Sequence, residues 1–260
     1  MILETLSRIL DVVDLLATAG IVAAAVFCFR RKQPSLTVAF FCFAMVSLLL
    51  TNAYWLAHSL IRPNMRMPMT ANTIGECAVF LLLSAALNSV FTGSRLSLSP
   101  QVACAALFAA ASVVFWLIWS EEWFQDILGG IVFGYFLCVC VHHMRRTGTL
   151  SRKEWIALGV VSAVYMGLFA MSLYSGSSVY ESAGYVLMFM TMLYFLGKAF
   201  RCIRRRESTD RQIVLSVAAY ACCISGVYMS SGCWYIAAEL LILLSLPMML
   251  HAFGKEAKPA

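Results

Sequence analysis

The stretch Trp119-Ser120-Glu121-Glu122-Trp123-Phe124-Gln125-Asp126-Ile127-Leu128-Gly129-Gly130-Ile131-Val132-Phe133-Gly134 sets three carboxylates between two apolar runs, each long enough to cross a bilayer. Acids placed where hydrocarbon would begin mark the turn of a membrane hairpin. The rest of the chain agrees: 62% of its residues are hydrophobic and 12% charged, against about 45–50% and about 25% in a soluble domain. Such a composition cannot cover a globular surface with polar groups, which excludes the soluble classes.

Nine apolar stretches of roughly 18–22 residues can be marked, each near the length that spans hydrocarbon. They fall at about 9–29, 36–57, 72–92, 101–119, 123–141, 155–175, 179–200, 213–230 and 233–253. Only helices or closed barrels satisfy backbone groups in lipid, and the runs lack the alternation of barrel strands. The expected fold is all-α, a polytopic membrane bundle built of helical hairpins, with residues 1–260 as one membrane domain. Glu4, Asp11 and Asp14 precede the first apolar core and arginines follow it, the reverse of a cleaved signal, so it reads as a retained helix.

Every odd-numbered span ends in a basic segment: Arg30, Arg31 and Lys32; Arg95; Arg145, Arg146, Arg152 and Lys153; Arg201, Arg204, Arg205, Arg206 and Arg211; Lys255 and Lys258. The opposite side carries Arg8, Arg62 and Arg66. By the positive-inside rule the N-terminus is expected outside and the C-terminus in the cytoplasm of a plasma (inner) membrane. The net charge of +6 is thereby an orientation signal, and no nucleic-acid partner is expected.

The inward-running spans each bear an acid near the outer end: Asp11 and Asp14, Glu76, Asp126, Glu181 and Glu239. Helix dipoles favour that placement. Thr73-Ile74-Gly75-Glu76 and Ser178-Val179-Tyr180-Glu181 match the capping box, which predicts that Glu76 and Glu181 cap their helices. Asp126 and Glu239 lie too deep for capping. A carboxylate at such depth is costly unless it is protonated, paired or facing a wet cavity, so these two are expected to share an outward-facing site. Arg62, in the turn Arg62-Pro63-Asn64-Met65-Arg66-Met67-Pro68, and Glu122 complete the candidate ligand-binding set.

Packing signals add detail. Gly130-x-x-x-Gly134, preceded by Gly129, predicts close helix approach and a central fifth helix, and Pro247 a kink beyond Glu239. Trp55, Trp116, Trp119, Trp123 and Trp234 read as an outer interfacial belt, and His142 and His143 as part of the basic inner linker. Lys198 is expected to snorkel. Most of the ten cysteines fall in apolar runs without CxxC spacing, where free cysteine acts as a small hydrophobe; a Cys77–Cys233 disulfide is conceivable from position alone. No metal or cofactor is expected.

The run Trp123-Phe124-Gln125-Asp126-Ile127-Leu128-Gly129-Gly130, with Gly134, resembles the last motif of the type-2 phosphatidic-acid phosphatases, and Arg62-Pro63 and Gly75-Glu76 follow the order of its other motifs. The resemblance covers helices 2 to 5. Trp55 stands for the family's lysine, Glu76 for its motif histidine, Trp116 for its arginine and Glu122 for its nucleophilic histidine, so it implies at most a degenerate relative.

Three function classes follow. One is a transporter or ligand-binding module for a small cationic or protonatable solute, using Asp126, Glu239, Glu122 and Arg62. Another is a non-catalytic membrane sensor or subunit acting through a protein partner on the cytoplasmic side. The last, a lipid-modifying enzyme, has the weakest residue support.

Overall fold

A computed structural model of the chain describes residues 2–29, 32–33, 35–61, 71–91, 96–120, 123–256 and 258–259. Among these residues there are nine helices, each long and apolar enough to span a membrane, and they fit a multi-pass membrane protein. They are α1 (Ile2–Phe29), α2 (Leu36–Ile61), α3 (Ala71–Val90), α4 (Pro100–Ser120), α5 (Trp123–Arg146), α6 (Arg152–Ser175), α7 (Ser178–Arg204), α8 (Thr209–Tyr228) and α9 (Gly232–Glu256). Several run beyond the expected apolar cores. α5 and α7 extend to Arg146 and Arg204 because basic side chains at a helix C-terminus suit the dipole and their stems lie along apolar neighbours.

Ends of the odd helices and starts of the even ones gather on one side. His143 near the end of α5 meets Asn88 near the end of α3 at 2.9 Å, and Lys255 at the end of α9 reaches Gln212 at the start of α8 at 2.9 Å. A two-residue antiparallel ladder, Lys32–Gln33 (β1) against Lys258–Pro259 (β2), joins the segments after α1 and α9. Every described Lys and Arg except Arg8 lies toward this side. His142 and His143, expected in the linker, are buried inside α5, where the His143 ring stacks on Phe91 at 4.7 Å.

The central helix is α8, not α5. It is packed by α3, α5, α7 and α9, and every residue from Gln212 to Ala221 is buried. Its small residues, including Ser216, Ala218, Ala219 and Gly226, admit close neighbours, and its hydropathy is the lowest of the nine, as suits a helix shielded from lipid. A Cβ on Gly130 would overlap Val113 and one on Gly134 would meet Ala109, so the glycine pair serves the α4–α5 contact. Phe41 and Phe253 stack at 4.4 Å between α2 and α9. The outward faces stay apolar, with Phe27, Leu50, Leu107, Ile131 and Leu244 exposed, as lipid contact requires.

The connections are closed locally. Ser151 caps α6 in a capping box with Glu154. Gly148, at φ +60°, ends α5 in a Schellman pattern, with Gly148 N–H donating to the Arg145 carbonyl and Thr149 N–H to that of Met144. Lys198, rather than simply snorkelling, pairs with Glu154, which also accepts from Tyr194. All ten cysteines are free, Cys77 and Cys233 included.

Candidate functional site

Five helices enclose a cavity of about 380 Å³ toward the side opposite the basic one, and each contributes one stripe at helical spacing. From α1 come Asp11, Asp14 and Thr18; from α2, Leu48, Thr51, Asn52 and Trp55; from α3, Asn72, Glu76, Val79 and Phe80. α8 adds Tyr220, Ile224, Val227 and Tyr228, and α9 adds Tyr235, Glu239, Ile242, Leu243 and Leu246. Spacings of three and four residues put such groups on one helical face. Apolar side chains form the floor and polar ones the upper wall. The helices come close here: a Cβ on Gly75 would overlap the Thr51 side chain, so glycine lets α3 lie against α2.

Four carboxylates thus line one space, and no Lys, Arg or His is among the described lining residues. Arg8, one turn before Asp11, is exposed and outside the lining. The four acids are held differently. Glu76 is saturated, one oxygen accepting from the Tyr228 hydroxyl at 2.8 Å and the other from the Asn72 amide at 2.9 Å. Asn52 donates to Thr18 at 3.0 Å, and Thr18 to the Asp14 backbone carbonyl at 2.7 Å, fixing α1 against α2. By contrast, Asp14 Oδ1, Glu239 Oε2, Asn72 Oδ1 and the hydroxyl of Ser230, which lines the cavity between α8 and α9, are buried without a hydrogen-bond partner among the described residues. Three of the four are acceptor oxygens, and the hydroxyl can donate or accept. Open valences weighted toward acceptors favour donors or positive charge in whatever fills the cavity.

The structure brings Glu239 into this site. Asp126 is half-buried in the first turn of α5 and does not line the cavity. The shared site expected for Asp126 and Glu239 is therefore not formed: α5 packs on α3, α4 and α8, whereas the cavity lies among α1, α2, α3, α8 and α9. Arg62 and Glu122 lie outside the described residues, as do Pro63 and Arg66. Sequence reasoning misread Glu76, whose oxygens serve Tyr228 and Asn72 and not a cap. Glu181 likewise accepts from Tyr185, at 2.5 Å, and α7 has Ser177 at its N-cap without a side-chain cap bond. The signal that could have found the site is the one-turn pairing of Asp14 with Thr18, Asn72 with Glu76 and Tyr235 with Glu239.

Trp116, expected in the interfacial belt, instead packs inward against Tyr228 at 5.5 Å and Phe133 at 6.1 Å, bracing the tyrosine that holds Glu76. Among the described residues no three His, Cys, Asp or Glu side chains converge closely enough to hold a metal ion. Comparison with family models, with curated proteins and with solved structures gives no match.

Proposed function

We propose that this protein is a plasma (inner) membrane transporter or binding module for a small organic cation, taken from outside into the carboxylate cavity. One observation carries the reading: four carboxylates surround the space, two of them with an unpartnered buried oxygen, and no basic residue is among the described lining groups. Trp55, Phe80, Tyr220, Tyr228 and Tyr235 line the same space, and an aromatic ring whose face meets an ammonium group attracts it by about 0.5–2 kcal/mol. A volume of about 380 Å³ falls in the range of small-molecule sites, about 300–1,000 Å³. The outside location of the cavity rests on the opposite placement of the basic residues. Accordingly, a reporter fused to the C-terminus should be cytoplasmic and one inserted between Ser175 and Ser178 external.

Calorimetry on the purified protein with choline and its uncharged carbon isostere 3,3-dimethyl-1-butanol tests the reading. Choline should bind at least about tenfold more tightly, which corresponds to about 1.4 kcal/mol. Equal binding of the two would rule out a cation site. Uptake of labelled choline into sealed vesicles then separates a carrier from a sensor that binds without moving its ligand.

A further inference from the structure

A second cavity, of about 800 Å³, lies between the α4–α5 hairpin and the α6–α7 hairpin, on the other flank of α8. It exists because α4 packs mainly on α5, and α6 on α7, with little contact between α4 and α6. Its floor is small and apolar, built from Ala218, Ala221 and Cys222 of α8. Its lip, including Leu107, Ile156 and Gly159, is exposed on the lipid-facing side of the bundle.

The two ends of the cleft differ. At the basic end stand Arg145 and Arg152, both exposed, with Trp155 beside them. Neither arginine forms an ion pair among the described residues, whereas three cations on the same side are held: Lys198 by Glu154, Arg211 by Glu207 at 3.4 Å, and Arg146 over the Phe91 ring at 5.3 Å. The opposite end is closed by Tyr165, whose hydroxyl donates to the Met229 carbonyl at 3.3 Å. Along α6, Arg152 to Met166 spans roughly 20 Å at about 1.5 Å per residue. Along α4, Pro100 to Ala111 spans roughly 16 Å. A bilayer's hydrocarbon is about 30 Å thick, so the cleft is about one leaflet deep.

We propose that this cleft is a binding site for one anionic phospholipid, with an acyl chain laid on the α8 floor and the phosphate between Arg145 and Arg152. Depth favours a lipid over a partner's membrane helix, which would need a groove across both leaflets. Charge favours an anionic headgroup over a zwitterionic one, because the two arginines at the mouth have no ion-pair partner among the described residues, and basic pockets between membrane helices on the cytoplasmic side suit such headgroups. Guanidinium groups also match phosphate oxygens in bidentate geometry.

Trp155 supplies the readout, since the other five tryptophans, Trp55, Trp116, Trp119, Trp123 and Trp234, belong to the opposite half of the bundle. The full chain is reconstituted in phosphatidylcholine vesicles containing a small fraction of either dibrominated phosphatidylglycerol or dibrominated phosphatidylcholine. The difference in quenching between the wild type and Trp155→Phe isolates the cleft. Phosphatidylglycerol should quench this component at much lower mole fraction, with a preference of roughly 5-fold for each arginine. That preference should vanish in Arg145→Ala/Arg152→Ala and survive in Arg145→Lys/Arg152→Lys. Equal quenching by the two lipids would mean ordinary boundary lipid and overturn the proposal, as would an unchanged preference in the alanine pair. Absence of quenching by either lipid, with self-association of the protein, would show the cleft filled by a second copy and overturn it too. Should the alanine pair fail to fold, the two-lipid comparison on the wild type still decides.

Discussion

The Tyr228 hydroxyl at the end of α8 donates to one oxygen of Glu76 on α3 at 2.8 Å, while Asn72 holds the other oxygen at 2.9 Å. This ties the central helix to the wall of the acidic cavity and removes Glu76 from competition for a ligand. Asp14 and Glu239 are left with the open acceptor oxygens. On the proposed reading, Glu76 is structural and Asp14 and Glu239 meet the ligand.

Glu76 should therefore behave as a stability residue. Tyr228→Phe leaves a carboxylate oxygen without its donor, and Glu76→Gln turns one acceptor into a second donor. Each should lower unfolding free energy by about 1–3 kcal/mol. Because the two act on one bond, the double variant should cost less than the two single costs added. Thermal unfolding of the three variants in one detergent measures this; a harmless Glu76→Gln would restore the capping role.

Asp14 and Glu239 should behave in the opposite way. A charged acid at mid-membrane costs about 2.5–3.5 kcal/mol on insertion scales. Asp14→Asn and Glu239→Gln should hence leave thermal stability equal or higher, by up to about 2 kcal/mol, while weakening choline binding at least about tenfold. Protons compete with the cation for the same oxygens, so affinity should fall as the pH falls. Asp126→Asn, outside this cavity, should leave affinity unchanged. Thermal unfolding of the variants checks the stability, and titration calorimetry with choline across pH on the wild type and the three variants checks the affinities.

Adjacent glycines on α5 should respond with opposite signs. A Cβ on Gly130 would overlap Val113, whereas one on Gly129 would meet nothing within 4 Å. Gly130→Ala forces α4 and α5 apart or Val113 into a poorer rotamer, at about 1–3 kcal/mol. Gly129→Ala should gain about 0.5–1 kcal/mol from reduced chain entropy. Melting temperatures of the two single variants make the comparison.

The two capping signatures should also separate. Ser151 accepts from the Glu154 N–H, and Glu154 accepts from the Ser151 N–H at 2.6 Å, so Ser151→Ala should cost about 0.5–2 kcal/mol. Ser178 lies within α7 rather than at its N-cap, and Ser178→Ala should fall within about 0.5 kcal/mol of the wild type, as surface changes do. Denaturation of both variants under one set of conditions decides it.

From the sequence alone came the class and the coarse frame of this protein. Hydropathy is summed over neighbours in the chain, so nine spans could be marked within a turn or two of most observed helix ends. The same local reading found an acid at the start of each odd helix, and the charge asymmetry between loops. It also held the Ser151-Arg152-Lys153-Glu154 capping box, which was passed over for the Thr73 and Ser178 matches. What lay beyond it was which helices become neighbours. Asp126 and Glu239 look alike in sequence, each an acid several residues into an odd span, yet only Glu239 faces the cavity, because α9 packs beside α1 while α5 packs beside α4. Asp14 and Glu239 are 225 positions apart in the chain, and Glu76 finds its donor on α8. Such meetings are set by side-chain fit between whole helices, with small residues on α8 admitting four neighbours at once. Tertiary packing alone turned five ordinary amphipathic stripes into one acidic cavity.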